Sequence, residues 1–256
     1  MSKILPKHAQ IVIVGGGIMG CSTAYHLVSN GCKDVILLER SKLTSGTTWH
    51  SAAQVRQLRS NESLTKIVQN SVKLYSSLES KTGHATGWKQ TGSISIATNL
   101  DRLTHVKRQA SLSRAFGIVA EEITLVEASE KWPLMRTDDL LGAFYSPSDG
   151  RVSPSDICTS LVKGSKSMGL RVFEDTPVTG IFTKNGRVNG LKTREKEIFC
   201  ETIVNCAGLW GREVAGMARV SAPLHACEHF YILTDEIDIS LKFNPFTMLW
   251  FRLRRC

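Results

Sequence analysis

Gly15, Gly17 and Gly20 stand in a G-x-G-x-x-G arrangement within Gly15-Gly16-Gly17-Ile18-Met19-Gly20. Each place has a steric reason. The first glycine permits a tight turn, the second lets backbone approach a pyrophosphate, and the third lets a helix close on a strand. A helix opening at this point offers unpaired N–H groups and the positive end of its dipole to phosphate charge. Glu39 lies about 20 residues further on, where a carboxylate accepts hydrogen bonds from an adenosine ribose. A carboxylate there argues against a 2′-phosphate, although the neighbouring Arg40 leaves that reading open. The pattern predicts a bound dinucleotide held by Gly15, Gly17, Gly20, Glu39 and Arg40, and it does not separate nicotinamide from flavin. The alternative is a purely structural glycine turn.

The elements that must position these residues are legible around them. Gln10-Ile11-Val12-Ile13-Val14 is a β-branched run suited to a strand buried on both faces of a parallel sheet. Residues 18–29 carry small and apolar side chains at helical spacing, with Gly31 as a C-terminal stop. Val35-Ile36-Leu37-Leu38 is a second buried strand ending at Glu39. Far downstream, Ile203-Val204-Asn205-Cys206-Ala207-Gly208 reads as a strand entering a small-residue turn. Flavin folds return to the cofactor with such a strand, and an ordinary βα turn is the other reading. Between these parts, residues 62–80 and 100–116 have helical periodicity and Ser93-Ile94-Ser95-Ile96 alternates like a strand, so an inserted substrate layer is expected. A helix near 155–168, a strand at 170–174 and short antiparallel strands over 177–200, turning at Lys184-Asn185-Gly186-Arg187, follow.

Composition narrows the class. The 256 residues are 42% hydrophobic, enough for a continuous core, and 21% charged throughout. With no apolar run of about 18 residues, no membrane span is expected. The formal charge of +9 admits an anionic partner, but no basic run exceeds a pair, so a solvated basic surface is expected rather than nucleic-acid binding. Seven cysteines include no C-x-x-C pair and no metal-finger spacing; they read as reduced thiols, with no metal site. The first residues show neither an apolar signal core nor an Arg/Ser-rich presequence, which fits the cytoplasm or a targeting segment absent from this sequence.

At Leu43-Thr44-Ser45-Gly46-Thr47-Thr48-Trp49-His50 the sequence resembles the sarcosine and dimethylglycine dehydrogenases, mitochondrial flavoproteins of the D-amino-acid-oxidase-like superfamily. The resemblance continues through Thr82-Gly83, Thr91-Gly92-Ser93-Ile94, Pro133-Leu134-Met135, Asp149-Gly150, Val204-Asn205-Cys206-Ala207-Gly208 and His229-Phe230-Tyr231. It implies an α/β fold: a Rossmann-like FAD-binding domain with a discontinuous antiparallel substrate domain, here truncated. The expected domain covers 9–237, with FAD-binding parts mainly at 9–60 and 150–217 and the substrate layer mainly at 85–145 and 220–237. The stretch 238–256 is expected to be an atypical or aberrant C-terminal tail, the alternative being an edge strand followed by a basic tail.

The resemblance further implies FAD as cofactor, with Thr47, Thr48, Val178, Ala207 and Gly208 beside it and a covalent flavin bond through His50. A neutral imidazole nitrogen is nucleophilic near neutral pH, which suits attack on the electrophilic methyl tautomer of the isoalloxazine at its 8α carbon, the electron pair passing into the flavin ring. Ser51-Ala52-Ala53-Gln54 departs from the family pattern of a small residue and glycine at this point, which puts the turn in doubt. His229 and Tyr231 are the implied catalytic pair, since positions i and i+2 of a strand share a face. The implied substrate is a small N-methyl amine, with an electron-transfer flavoprotein as acceptor, tetrahydrofolate in the missing C-terminal half and the mitochondrial matrix as compartment. The segment that closes over the flavin is missing as well, so this chain is expected to turn over little substrate. The stretch 223–231 also resembles the regulatory subunit of pyruvate dehydrogenase phosphatase, a non-dehydrogenase relative without the Thr-Trp-His pattern; the intact Thr48-Trp49-His50 favours the dehydrogenase branch.

Overall fold

A computed structural model describes residues 4–228. In chain order the elements are β1 (His8–Val14), α1 (Ile18–Ser29), β2 (Val35–Leu38), β3 (Gln54–Val55), α2 (Glu62–Thr82), β4 (Ser93–Ala97), α3 (Leu100–Ala115), β5 (Glu121–Ile123), α4 (Leu125–Lys131), β6 (Gly142–Ser146), β7 (Gly150–Arg151), α5 (Pro154–Ser167), β8 (Arg171–Phe173), β9 (Val178–Lys184), β10 (Arg187–Thr193), β11 (Glu197–Asn205) and α6 (Gly211–Met217). They form two compact units, each assembled from separated stretches of chain.

The first unit holds a six-stranded sheet in the order β8-β2-β1-β11-β10-β9. Four strands, β8, β2, β1 and β11, run parallel, and β10 and β9 continue antiparallel. Val12, Ile13, Ile36 and Leu37 are fully buried in its centre. Each such side chain contributes about 1.5–3 kcal/mol by leaving water, which is why these two apolar runs lie inside the sheet rather than at its edge. Helix α1 ends as its sequence requires. Gly31 has φ +89°, its N–H donates to the Val28 carbonyl, and Cys32 N–H donates to the Leu27 carbonyl, a Schellman cap. The β9–β10 hairpin turns through Asn185 and Gly186, both at positive φ, as a two-residue turn between twisted strands demands.

One strand differs from the sequence expectation. The antiparallel run ending near 200 and the separate strand from 203 are a single strand, β11. Its first residues pair antiparallel with β10 (Ile198 with Leu191), and from Phe199 onward it pairs parallel with β1 (His8 with Phe199, Val14 with Asn205). A strand with neighbours on both sides joins the antiparallel edge to the parallel centre.

The second unit contains an antiparallel three-stranded sheet, β4-β6-β5, and the small ribbon β3–β7. Helix α3 lays Val106 and Ala110 against Ala120 and Phe144. Asn99 accepts the Arg102 N–H at the start of α3, and Thr124 with Glu127 forms a capping box at the start of α4. The Thr124 backbone N–H and hydroxyl hold the Glu127 carboxyl below its usual range. No helix among the described residues is long and apolar enough to cross a membrane.

Candidate cofactor site

The carboxyl ends of β2, β1 and β11 carry three adjacent loops, and the glycine turn is the middle one. Gly15 has φ +110°, and a Cβ there would enter the Cys206 carbonyl oxygen. A Cβ on Gly20 would enter the Gly15 carbonyl oxygen itself, so α1 rests directly on the backbone of the turn. At Gly17 a Cβ would lie 2.9 Å from the Thr48 hydroxyl.

Glu39 is buried at the end of β2 and braces the turn. Its Oε2 accepts the Gly16 N–H at 2.7 Å and its Oε1 accepts the Ser41 N–H at 2.9 Å. Its own carbonyl accepts the Thr176 N–H at 2.7 Å. A carboxylate fixed by two N–H donors keeps lone pairs for further donors such as ribose hydroxyls.

The stretch from Leu43 to Ser51 is fastened to the glycine turn at two points. Thr44 N–H donates to the Gly16 carbonyl at 3.0 Å, and Ile18 N–H, the first of α1, donates to Thr48 Oγ1 at 3.0 Å. Gly17 has no side chain with which to cap α1, so Thr48 supplies the cap from thirty positions away. Thr44 holds φ +68°, a strained setting for a β-branched residue. His50 is exposed, its Nδ1 lies 3.1 Å from the Gly46 carbonyl, and the Trp49 ring stands 4.0 Å from its centroid. A carbonyl can only accept, so Nδ1 carries a proton in this contact, and the neutral tautomer that matches it has its lone pair on Nε2.

On the far side, Cys206 N–H continues the sheet onto the Val14 carbonyl at 2.8 Å. The next residues turn through Ala207 and Gly208, the latter at φ +56°. Ala207 N–H donates to Asn205 Oδ1 at 3.2 Å, while Asn205 Nδ2 donates to the Gly211 carbonyl at 2.7 Å, which fixes the start of α6. Two cysteines sit against the turn, and neither suits nucleophilic work. Hydrogen bonding to Cys158 and burial hold the Cys21 thiol far above its ordinary range, and burial raises Cys206.

Gly15, Gly17, Gly20, Glu39, Thr48, Ala207 and Gly208 are thereby gathered around one turn. Thr47 is exposed on the His50 stretch. Val178 begins β9, packed on the hydrophobic core two residues after Thr176. Arg40 stacks its guanidinium 3.6 Å from the centroid of the Trp210 ring. Trp210, Gly16 and Ser41 belong to this cluster and escaped the sequence reading, because their roles depend on contacts with loops distant in the chain. His229, Tyr231 and the stretch 238–256 lie outside the described residues.

The departure at Ser51-Ala52-Ala53-Gln54 has a structural counterpart: Ala53 adopts φ +59°, the left-handed setting that favours glycine. Ala53→Gly is expected to stabilise the chain by about 0.5–1 kcal/mol, because the relieved strain exceeds the added freedom of the unfolded chain. Thermal unfolding checks this, with a rise in Tm of about 1–4 °C expected and a fall contradicting it.

Residues 10–254 match the family described as FAD dependent oxidoreductase, DAO. The chain belongs to this family. This DAO chain is 40% identical over 243 residues to the human protein named sarcosine dehydrogenase, mitochondrial, covering 93% of this chain and 26% of that one. It is 41% identical over 251 residues to the mouse pyruvate dehydrogenase phosphatase regulatory subunit, mitochondrial, covering 97% and 28%. Human dimethylglycine dehydrogenase, mitochondrial, is 37% identical over 233 residues, covering 90% and 27%. The chain thus spans about a quarter of the length of these relatives. Among solved structures, L-proline dehydrogenase from P. horikoshii aligns with a TM-score of 0.80 at 28% identity, over 84% of this chain and 57% of that one. The glycine oxidase of Bacillus cereus ATCC 14579 aligns with a TM-score of 0.71 at 25% identity, over 81% and 57%. The residues present fit the ADP half of the DAO cofactor, FAD: a backbone cradle that a Cβ at Gly15 or Gly20 would fill, a helix N-terminus behind it and a braced carboxylate beside it.

Proposed function

We propose that this chain is the FAD-binding part of an amine dehydrogenase that oxidises N-methyl amino acids of the sarcosine or dimethylglycine type. The observation that carries the reading is the double fastening of the His50 stretch to the glycine turn, through Thr44 to Gly16 and Thr48 to Ile18. It joins a diphosphate cradle to a histidine with a free Nε2 lone pair, the combination needed to bind FAD and attach it. FAD, when bound, would supply the redox chemistry, its N5 being the hydride acceptor for oxidation of an N-methyl carbon.

The protein's own contributions follow from its residues. The turn at Gly15 and Gly17 lets backbone N–H groups approach the diphosphate, with the dipole of α1 favouring its charge. Glu39 accepts the ribose hydroxyls, with Val178, Ala207 and Gly208 lining the cofactor. His50, with Nδ1–H held on Gly46, presents Nε2 for the covalent bond. His229 and Tyr231 are proposed, from the sequence resemblance alone, to keep the substrate amine uncharged and to hydrogen-bond its carboxylate. An electron-transfer flavoprotein as acceptor, tetrahydrofolate bound by a region of the relatives not represented here, and the mitochondrial matrix complete the proposal.

A second reading, a non-catalytic regulatory homologue, is favoured by one observation: 41% identity to the mouse phosphatase regulatory subunit. Dye reduction with sarcosine separates the two, using residues 1–256 and a chain extended by the C-terminal half of a sarcosine dehydrogenase. The extended chain is expected to reduce dye and the chain of 256 residues to reduce little or none. Equal turnover by both would refute the need for the closing segment, and no turnover by either would favour the regulatory reading.

A further inference from the structure

We propose that Trp210 is a specificity-determining residue: by stacking on Arg40 it keeps the guanidinium away from the adenosine ribose and makes the site discriminate against a 2′-phosphate. The inference rests on the dinucleotide reading and goes beyond it, because that reading leaves the role of Arg40 open.

Two cations follow Glu39 closely. Lys42 is tied to acids, its Nζ lying 2.6 Å from Asp175 Oδ2 and 3.8 Å from Glu174 Oε2. Arg40 is exposed and lies with its Cζ 3.6 Å from the centre of the Trp210 ring. At that separation the guanidinium lies over the indole face, held by the ring quadrupole and by dispersion. Glu39, adjacent to it, is the carboxylate that reads ribose hydroxyls, and its two backbone donors fix its position. An arginine beside such a carboxylate is the group that accommodates a 2′-phosphate when it is free to turn toward it. Here both neighbouring cations are engaged elsewhere, so a 2′-phosphate would meet the Glu39 charge without compensation.

The ring that does this comes from the opposite loop. Trp210 ends the short helical turn Gly208–Trp210 after β11, whereas Arg40 follows β2, and β1 lies between those strands. The Trp210 backbone N–H donates to the Ala207 carbonyl at 3.0 Å, which ties the end of this turn, and the ring stands over Gly46, where a Cβ would lie 3.6 Å from it.

Calorimetric titration with adenosine 5′-diphosphate and with its 2′-phosphorylated form tests this without requiring the isoalloxazine half of the site. The chains compared are the unchanged protein, Trp210→Ala, Trp210→Phe and Trp210→Ala with Arg40→Ala. The unchanged chain is expected to prefer the unphosphorylated ligand, and Trp210→Ala to narrow that preference about tenfold, the value of one charge-assisted contact. Trp210→Phe should keep the preference, because a phenyl face still stacks a guanidinium. Arg40→Ala in the Trp210→Ala chain should restore it. Equal weakening of both ligands in Trp210→Ala, or an unchanged ratio, overturns the inference and leaves the dinucleotide reading standing. An unchanged protein that binds neither ligand overturns the dinucleotide reading, and this inference falls with it.

Discussion

Gly20→Ala should abolish adenosine diphosphate binding and lower stability by about 3 kcal/mol or more, because overpacking against backbone has no soft side chain to yield. The added methyl would occupy the position of the Gly15 carbonyl oxygen, so α1 must lift from β1 or the turn must change shape. Either movement displaces the Gly16 N–H from Glu39 and the Ile18 N–H from Thr48. The control is Gly216→Ala in α6, where a Cβ meets nothing within 4 Å. Alanine there should be neutral or add up to about 1 kcal/mol through helix propensity. Thermal unfolding and nucleotide titration of both variants make the comparison. A Gly20→Ala chain with ordinary Tm and ordinary affinity would remove the close approach as the reason for glycine at this place.

The second large effect is expected at His50. When the unchanged chain, loaded with FAD, is denatured in acid, the yellow colour should remain with the polypeptide, and the His50→Ala chain should release all of it. Stability should change little, since His50 is exposed and its ring hydrogen-bonds the Gly46 carbonyl within the same short stretch. That separation of effects distinguishes attachment from folding. Quantitative release of free FAD from the unchanged protein would sink the assignment of His50, while leaving the glycine turn and Glu39 as a reversible site.

Much of this site was legible because its parts are local. A β-branched run, a glycine triplet, a helix and a second apolar run each constrain their own neighbours. The strands, the cap at Gly31 and the turn at Asn185-Gly186 follow from φ preferences and burial alone. What escaped is what depends on partners far along the chain. Thr48 capping α1, Trp210 covering Arg40 and Asn205 holding Gly211 carry no periodic signal. Strand β11 was read as two pieces because its burial alternates at one end and runs more evenly at the other. The short strands β5 and β6 went unread: Glu121 and Glu122 are charged and exposed, and β6 is a mixed run, so neither advertises a sheet face. Ala53 shows the reverse case, in which the sequence flagged an unusual turn and the backbone carries it at positive φ.

The pairing of β1 with β11 sets the order in which the chain can fold. His8 lies beside Phe199 and Val14 beside Asn205, so the central seam of the sheet joins almost the first described residues to nearly the last. Contacts this distant in sequence must overcome a large loop-closure entropy before they return any energy, which slows folding. During synthesis β1 and β2 emerge early, yet one edge of β1 stays unpaired until residue 205 has left the ribosome. The apolar strand that carries the glycine turn is therefore an open template for wrong pairing until β11 has emerged.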